Sequence, residues 1–175
     1  MYQRILVAVD GSPTGKLGLE EAVEMAREQN GNLLIVHVVD PFVFWGDIST
    51  AAYAGDLLSV MRESGREVLK EAEDWAQKHG VTPKTALLET ISHSTADLIV
   101  TQARKWRADL IVLGTHGRRG VRRLVLGSDA EAVVRTAPVP VLLVRARESP
   151  RAKGRVVPQS VLTGGAGLAM QHTRQ

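Results

Sequence analysis

Five short apolar runs alternate with four stretches of helical periodicity, and nothing else in the 175-residue chain limits its fold so tightly. The runs cover residues 4–10, 32–39, 84–89, 109–113 and 141–145 and consist largely of Val, Ile and Leu. Continuous apolar runs of this length fit parallel strands covered on both faces. The first helix opens at Asp10-Gly11-Ser12-Pro13, where Ser12 suits the N-cap and Pro13 the first helical position. Its apolar face is Leu19, Ala22, Val23 and Ala26. Gly15 and Gly18 weaken its first turns by about 1 kcal/mol each relative to Ala, and Asn30-Gly31 stops it. A second helix over 56–80 carries Leu58, Met61, Gly65, Val68, Ala72 and Trp75 at spacings of three and four, with Gly65 implying close packing on a sheet. Ser94-Thr95-Ala96-Asp97 opens a third as a variant capping box. A fourth runs from Ser128 to about Thr136, before Pro138-Val139-Pro140. The order βαβαβαβαβ with right-handed crossovers predicts an α/β fold, a Rossmann-like, doubly wound, five-stranded parallel sheet with helices on both faces. The segment from Phe42 to Gly55 has no period and reads as a long loop, often a lid or binding edge in a compact domain.

The length fits one domain with a substantial core. The chain has no cysteine, which excludes disulfides, thiol nucleophiles and cysteine metal sites and agrees with a reducing cytoplasm. Met1-Tyr2-Gln3-Arg4 leads straight into a strand without the pattern of a secretory leader. No apolar run approaches the length of a membrane span. The formal charge of +3 is partly a property of one end: Arg151, Lys153, Arg155 and Arg174 lie in a stretch without acids, which leaves 18 basic against 19 acidic residues elsewhere. The basic balance is therefore a weak argument for nucleic-acid binding by the fold. Residues 1–147 read as the folded domain, and 148–175, rich in Pro, Gly, Ser, Gln and basic residues, as a flexible tail.

The chemistry concentrates between the fourth strand and the fourth helix. Leu113-Gly114-Thr115-His116-Gly117 leads through Arg118-Arg119-Gly120-Val121-Arg122-Arg123 to Gly127-Ser128 and the helix. Glycines let a backbone approach an oxyanion, and the N–H groups and dipole at a helix start favour negative charge. Strand, glycine loop and helix start together predict a phosphate cradle. Asp10, at the end of the first strand, lies on the same side of such a sheet.

The chain resembles the universal stress protein family, in its nucleotide-binding branch, over nearly all of residues 1–147. The resemblance rests on Ile5-Leu6-Val7-Ala8-Val9-Asp10-Gly11-Ser12, on Val36-His37-Val38-Val39-Asp40, and on the pattern Gly-x2-Gly-x9-Gly-[Ser/Thr], met by Gly114, Gly117, Gly127 and Ser128. It implies a sheet order 3-2-1-4-5 and an adenine nucleotide, ATP or ADP or AMP, at the carboxyl ends of strands one and four. On that resemblance Ala8 and Asp10 line the ribose and base region, and the Val38 backbone reads the adenine edge. Gly114, His116 and Gly117 approach the nucleotide, while Gly127, Ser128, Asp129 and Ala130 hold phosphates. It also implies a homodimer through the strand at 139–145, an apolar edge that invites pairing in its own right. The chain departs from the family at Asp129, where a small apolar residue is usual. A carboxylate there favours the helix dipole but repels phosphate unless it points away or shares a Mg²⁺.

No catalytic set accompanies the cradle: the P-loop lysine motif, a metal-ligand cluster and a Ser-His-Asp arrangement are all missing from the sequence. The expectation is a nucleotide-dependent stress-response or signalling module in which the nucleotide orders the glycine loop and the 42–55 segment for an unidentified protein partner. Hydrolysis would be slow at most. A slow ATP-hydrolysing or nucleotidyl-transferring enzyme, a structural dimer without nucleotide, and nucleic-acid binding through the tail remain as alternatives. His37, in an apolar strand, reads as a hydrogen-bonded structural histidine. Trp75 and Trp106 read as packing residues.

Overall fold

The computed structural model describes residues 2–40, 54–89, 94–115 and 127–145. His116, Gly117, the arginines at 118, 119, 122 and 123, most of the loop expected over 42–55, and the expected tail lie outside them. The elements follow the expected order: β1 (Arg4–Ala8), α1 (Pro13–Gln29), β2 (Asn32–Val39), α2 (Ala54–Lys78), β3 (Lys84–Glu89), α3 (Thr95–Trp106), β4 (Leu110–Gly114), α4 (Ser128–Thr136) and β5 (Val141–Val144).

The five strands form one parallel sheet in the order β3-β2-β1-β4-β5. Right-handed crossovers that run outward from β1 in both directions must place their helices on opposite faces. The core divides accordingly. On one face Ile5, Val7, Leu33, Ile35, Leu110 and Val112 pack under α1 and α2. On the other, Leu6, Leu34, Val36, Ile111 and Leu113 pack under α3 and α4. Alternate residues of each central strand thus serve opposite faces, which is why these runs show no polar alternation. Ile5, Val7, Ile35, Val36, Ile111 and Val112 are fully buried.

Local chemistry sets the ends. β1 stops at Ala8, two residues short of the expected Asp10, because the Asp10 Oδ1 accepts from the Ser12 N–H at 3.0 Å and Gly11 takes φ 79°. That left-handed turn suits glycine and leads the chain into α1. β4 starts at Leu110, one residue past the expected Asp109, whose carboxylate instead accepts the N–H groups of Gln3 and Arg4 at 2.8 and 3.0 Å. α1 ends on Asn30 in the left-handed region (φ 49°), so the asparagine and not Gly31 makes the terminal turn. α2 begins at Ala54, which takes the last two residues of the expected loop into the helix.

The inner stripe of α2 also differs from the expected one. Leu69, Ala72 and Ala76 are the buried positions, with Val68 and Trp75 half-buried beside them. Steps of about 3.6 residues from Gly65 fall nearest to 69, 72 and 76. Gly65 is the anchor of that stripe: a Cβ there would lie 2.8 Å from Leu87 Cδ1 and 2.9 Å from His37 Cδ2. Trp75 packs against the core and stacks on His79, and Trp106 packs on the other face with the Arg4 guanidinium 4.5 Å from its ring centre.

Candidate functional site

The strand order reverses direction at β1, so the crevice outside the carboxyl ends of β1 and β4 is where a ligand meets backbone from both halves of the sheet. Three pieces of chain converge there. The first is the turn after β1. Ser12 caps α1, with its Oγ accepting from the Gly15 N–H at 3.0 Å and standing 3.3 Å from Thr14 Oγ1. Both hydroxyl residues are buried. The Asp10 carboxylate sits directly over this first turn of α1: a Cβ on Gly15 would lie 2.6 Å from its Oδ1. The positive end of the α1 dipole favours that charge.

The second piece is the end of β4. A Cβ on Gly114 would fall 2.7 Å from the Thr14 carbonyl carbon and 2.9 Å from the Gly15 nitrogen. These are backbone atoms, so neither side can yield cheaply. Gly18 continues the contact, with its Cβ direction 3.5 Å from the Gly114 nitrogen. Glycine at 15 makes room for the Asp10 carboxylate, and glycine at 114 lets α1 and β4 touch backbone to backbone under the crevice. This contact alone accounts for glycine at 114. Gly15 was legible in the sequence only as a weak helix former, and no periodicity argument gives it a place against Asp10.

The third piece is the start of α4. The chain leaves β4 at Thr115 and returns at Gly127, where the Gly127 N–H donates to the Thr115 carbonyl at 3.0 Å. The Thr115 N–H in turn donates to Val144 of β5 at 2.8 Å. Gly127 is the N-cap of α4 and makes no side-chain cap bond. The first turn holds Ser128 and Asp129, both exposed, and the buried Ala130.

Val38 approaches from β2. The β1–β2 ladder closes with the Val9 N–H donating to the Val36 carbonyl at 2.9 Å. Peptide groups of alternate residues point the same way, so the Val38 N–H and C=O face the β1 side, past the end of that strand. Its side chain and that of Ala8 are half-buried on the α3 and α4 face. His37 is buried as expected, its Nδ1 2.7 Å from the Val9 carbonyl. A carbonyl only accepts, so Nδ1 carries the proton.

The described part of the expected set, Ala8, Asp10, Val38, Gly114, Gly127, Ser128, Asp129 and Ala130, thus lies at the carboxyl ends of β1, β2 and β4 and the start of α4. His116 and Gly117 lie outside the described residues. A helix start capped by glycine turns backbone N–H groups toward a position an anion can take. Among the described residues no group of three or more His, Asp or Glu is placed to hold a metal ion. Among them, too, no helix is long and apolar enough to cross a membrane.

This fold, with its crevice at the carboxyl ends of β1 and β4, defines a class of Rossmann-like α/β proteins, and comparison with known proteins narrows it. Residues 1–145 match the universal stress protein family. A universal stress protein of Methanocaldococcus jannaschii is 36% identical over 146 residues, 83% of each chain. Among solved structures, a universal stress protein family member from Burkholderia pseudomallei is 35% identical, with a TM-score of 0.67 over 83% of this chain and 97% of its own. A universal stress protein in complex with cAMP is 27% identical, with a TM-score of 0.61 over 82% of this chain and 97% of its own. One from Archaeoglobus fulgidus in complex with dAMP is 26% identical, with a TM-score of 0.60 over 82% of this chain and 98% of its own. The chain belongs to the universal stress protein family.

Proposed function

We propose that this universal stress protein binds an adenine nucleotide, ATP or its ADP and AMP forms, at the carboxyl ends of β1 and β4. We propose further that it works as a nucleotide-dependent stress-response or signalling module. The observation that carries the reading is the start of α4. It is clipped to the end of β4 through Gly127 and Thr115, has as its N-cap a glycine with no side chain to occupy the first amides, and lies at the same end of the sheet as Asp10 and Val38. The amides of Ser128, Asp129 and Ala130 would hold phosphate, Asp10 the ribose, and the Val38 peptide the adenine edge. Ala8, Gly114, His116 and Gly117 complete the proposed lining. The structures with cAMP and with dAMP support an adenine ligand in relatives of this chain.

Binding rather than turnover is the proposed activity, because the sequence carries no P-loop lysine motif to serve a γ-phosphate. Asp129, exposed in the first turn of α4, makes the affinity for ATP sensitive to Mg²⁺. Two copies are proposed to pair through the edge strand β5 and residues 139–145, where four half-buried apolar residues sit at the end of the sheet among the described residues. Calorimetric titration of ATP with and without Mg²⁺, into wild type and Asp129→Val, tests the site. Saturable binding with one nucleotide per chain, tightened by Mg²⁺ in wild type only, is expected. Equal affinity in all four titrations would remove the role of Asp129, and no binding in any would remove the nucleotide.

A further inference from the structure

Continuing the β1–β2 ladder one step past Val36 would require the Val38 N–H to donate to the Val9 carbonyl. Among the described residues no such bond is made. The Val9 carbonyl is taken instead by the His37 ring, Nδ1 to oxygen 2.7 Å. A side chain from β2 has replaced the backbone rung of β2's own next residue. The ring is held in place from behind by α2, where only a glycine fits: a Cβ on Gly65 would stand 2.9 Å from His37 Cδ2. His37 is 7% exposed, so water offers the Val9 carbonyl no ready substitute. Val9 immediately precedes Asp10, and His37 immediately precedes Val38.

We propose that His37 is a positioning residue that ends the β1–β2 ladder by occupying the Val9 carbonyl, and so keeps the Val38 N–H available to the base edge of a bound nucleotide. The proposal rests on the adenine-nucleotide reading of the crevice. A backbone donor already committed to a strand ladder cannot also serve a ligand without breaking its first bond. The imidazole removes that competition before the ligand arrives. Through the same bond it fixes the peptide that carries Asp10, so one ring sets the spacing of both nucleoside contacts. His37 touches no nucleotide itself.

Two variants separate this role from a structural one. His37→Leu keeps apolar bulk and removes the donor; His37→Asn keeps an N–H donor near the position of Nδ1. In wild type, no scalar coupling across a hydrogen bond is expected between the Val38 nitrogen and the Val9 carbonyl carbon. In His37→Leu that coupling is expected to appear as the ladder zips one step further. Affinity for ATP and for AMP, which share the base, is expected to fall by the same factor in His37→Leu, about tenfold for one lost hydrogen bond, and to return to within about threefold in His37→Asn. A Val38–Val9 coupling in the wild type overturns the proposal whatever the protein binds. Wild-type affinity in a folded His37→Leu also overturns it. If wild type binds neither ATP nor AMP, the nucleotide reading fails and the positioning role fails with it, while the coupling still decides whether the ring ends the ladder. Should His37→Leu not fold, failure of His37→Asn to bind AMP within about threefold of wild type overturns the proposal.

Discussion

Gly15 and Gly18 sit three residues apart on the same helix, and substitution by Ala separates their roles. A methyl at Gly15 meets the Asp10 carboxylate at 2.6 Å, whereas at Gly18 its nearest neighbour is 3.5 Å away, an ordinary contact. Ala is the better helix former by about 1 kcal/mol. Gly18→Ala is therefore expected to be neutral or stabilising by up to about 1 kcal/mol in urea unfolding. Gly15→Ala is expected to destabilise by about 1–3 kcal/mol, since the overpacking outweighs the propensity. It should also weaken nucleotide binding by displacing Asp10. Asp10→Ala removes a charge-assisted contact and should cost tenfold or more in affinity, on the order of 1.5–3 kcal/mol, with the fold retained. The sequence made Asp10 conspicuous as an acid at the end of an apolar strand. It hid Gly15, because a close approach between a glycine and a carboxylate five residues earlier depends on how tightly the turn closes. That turn is set by the left-handed Gly11 and the Ser12 cap.

The elements themselves were legible almost throughout. Strand and helix positions follow from two periods, and the central strands, buried on both faces, have no register that would leave one face polar. What the sequence did not disclose was where each element ends, since ends depend on side chains arriving from elsewhere. Asp109 leaves β4 to bind the N–H groups of Gln3 and Arg4, more than a hundred residues away in the chain. The inner stripe of α2 was readable only to within one residue, and Gly65 decides it. Gly65→Ala drives a methyl into Leu87 and His37. It should cost about 1–3 kcal/mol despite a better helix former, as measured by thermal or urea unfolding. Gly127→Ala offers the opposite outcome. Gly127 has φ −59°, open to any residue, and its Cβ direction lies 3.4 Å from the Thr115 carbonyl. Stability should change by less than about 1 kcal/mol, whereas nucleotide affinity should fall because the methyl stands where phosphate approaches the start of α4.

The whole molecule is a sheet with two unequal edges. β3 is flanked by α2, with the Arg62 guanidinium gripping Glu89 at 2.8–3.0 Å. β5 ends the other side as a run of four half-buried apolar residues, and Val134 on neighbouring α4 is 47% exposed. An apolar edge of this kind invites pairing. Sedimentation equilibrium at micromolar concentration should return twice the chain mass, and a monomer would contradict pairing through β5. The proposed ligand and the proposed dimer would make separate demands on β4 and β5, joined at Thr115, whose N–H bonds β5 and whose carbonyl holds Gly127. The central claim concerns the crevice itself, and backbone amide shifts in isotope-labelled protein titrated with ATP test it most directly. Saturable shifts are expected at Asp10, Val38 and Ser128 to Ala130, with little change at Gly80 and Val81 on the opposite rim. Absence of shifts, or shifts confined to residues away from the carboxyl ends of β1 and β4, would contradict the account.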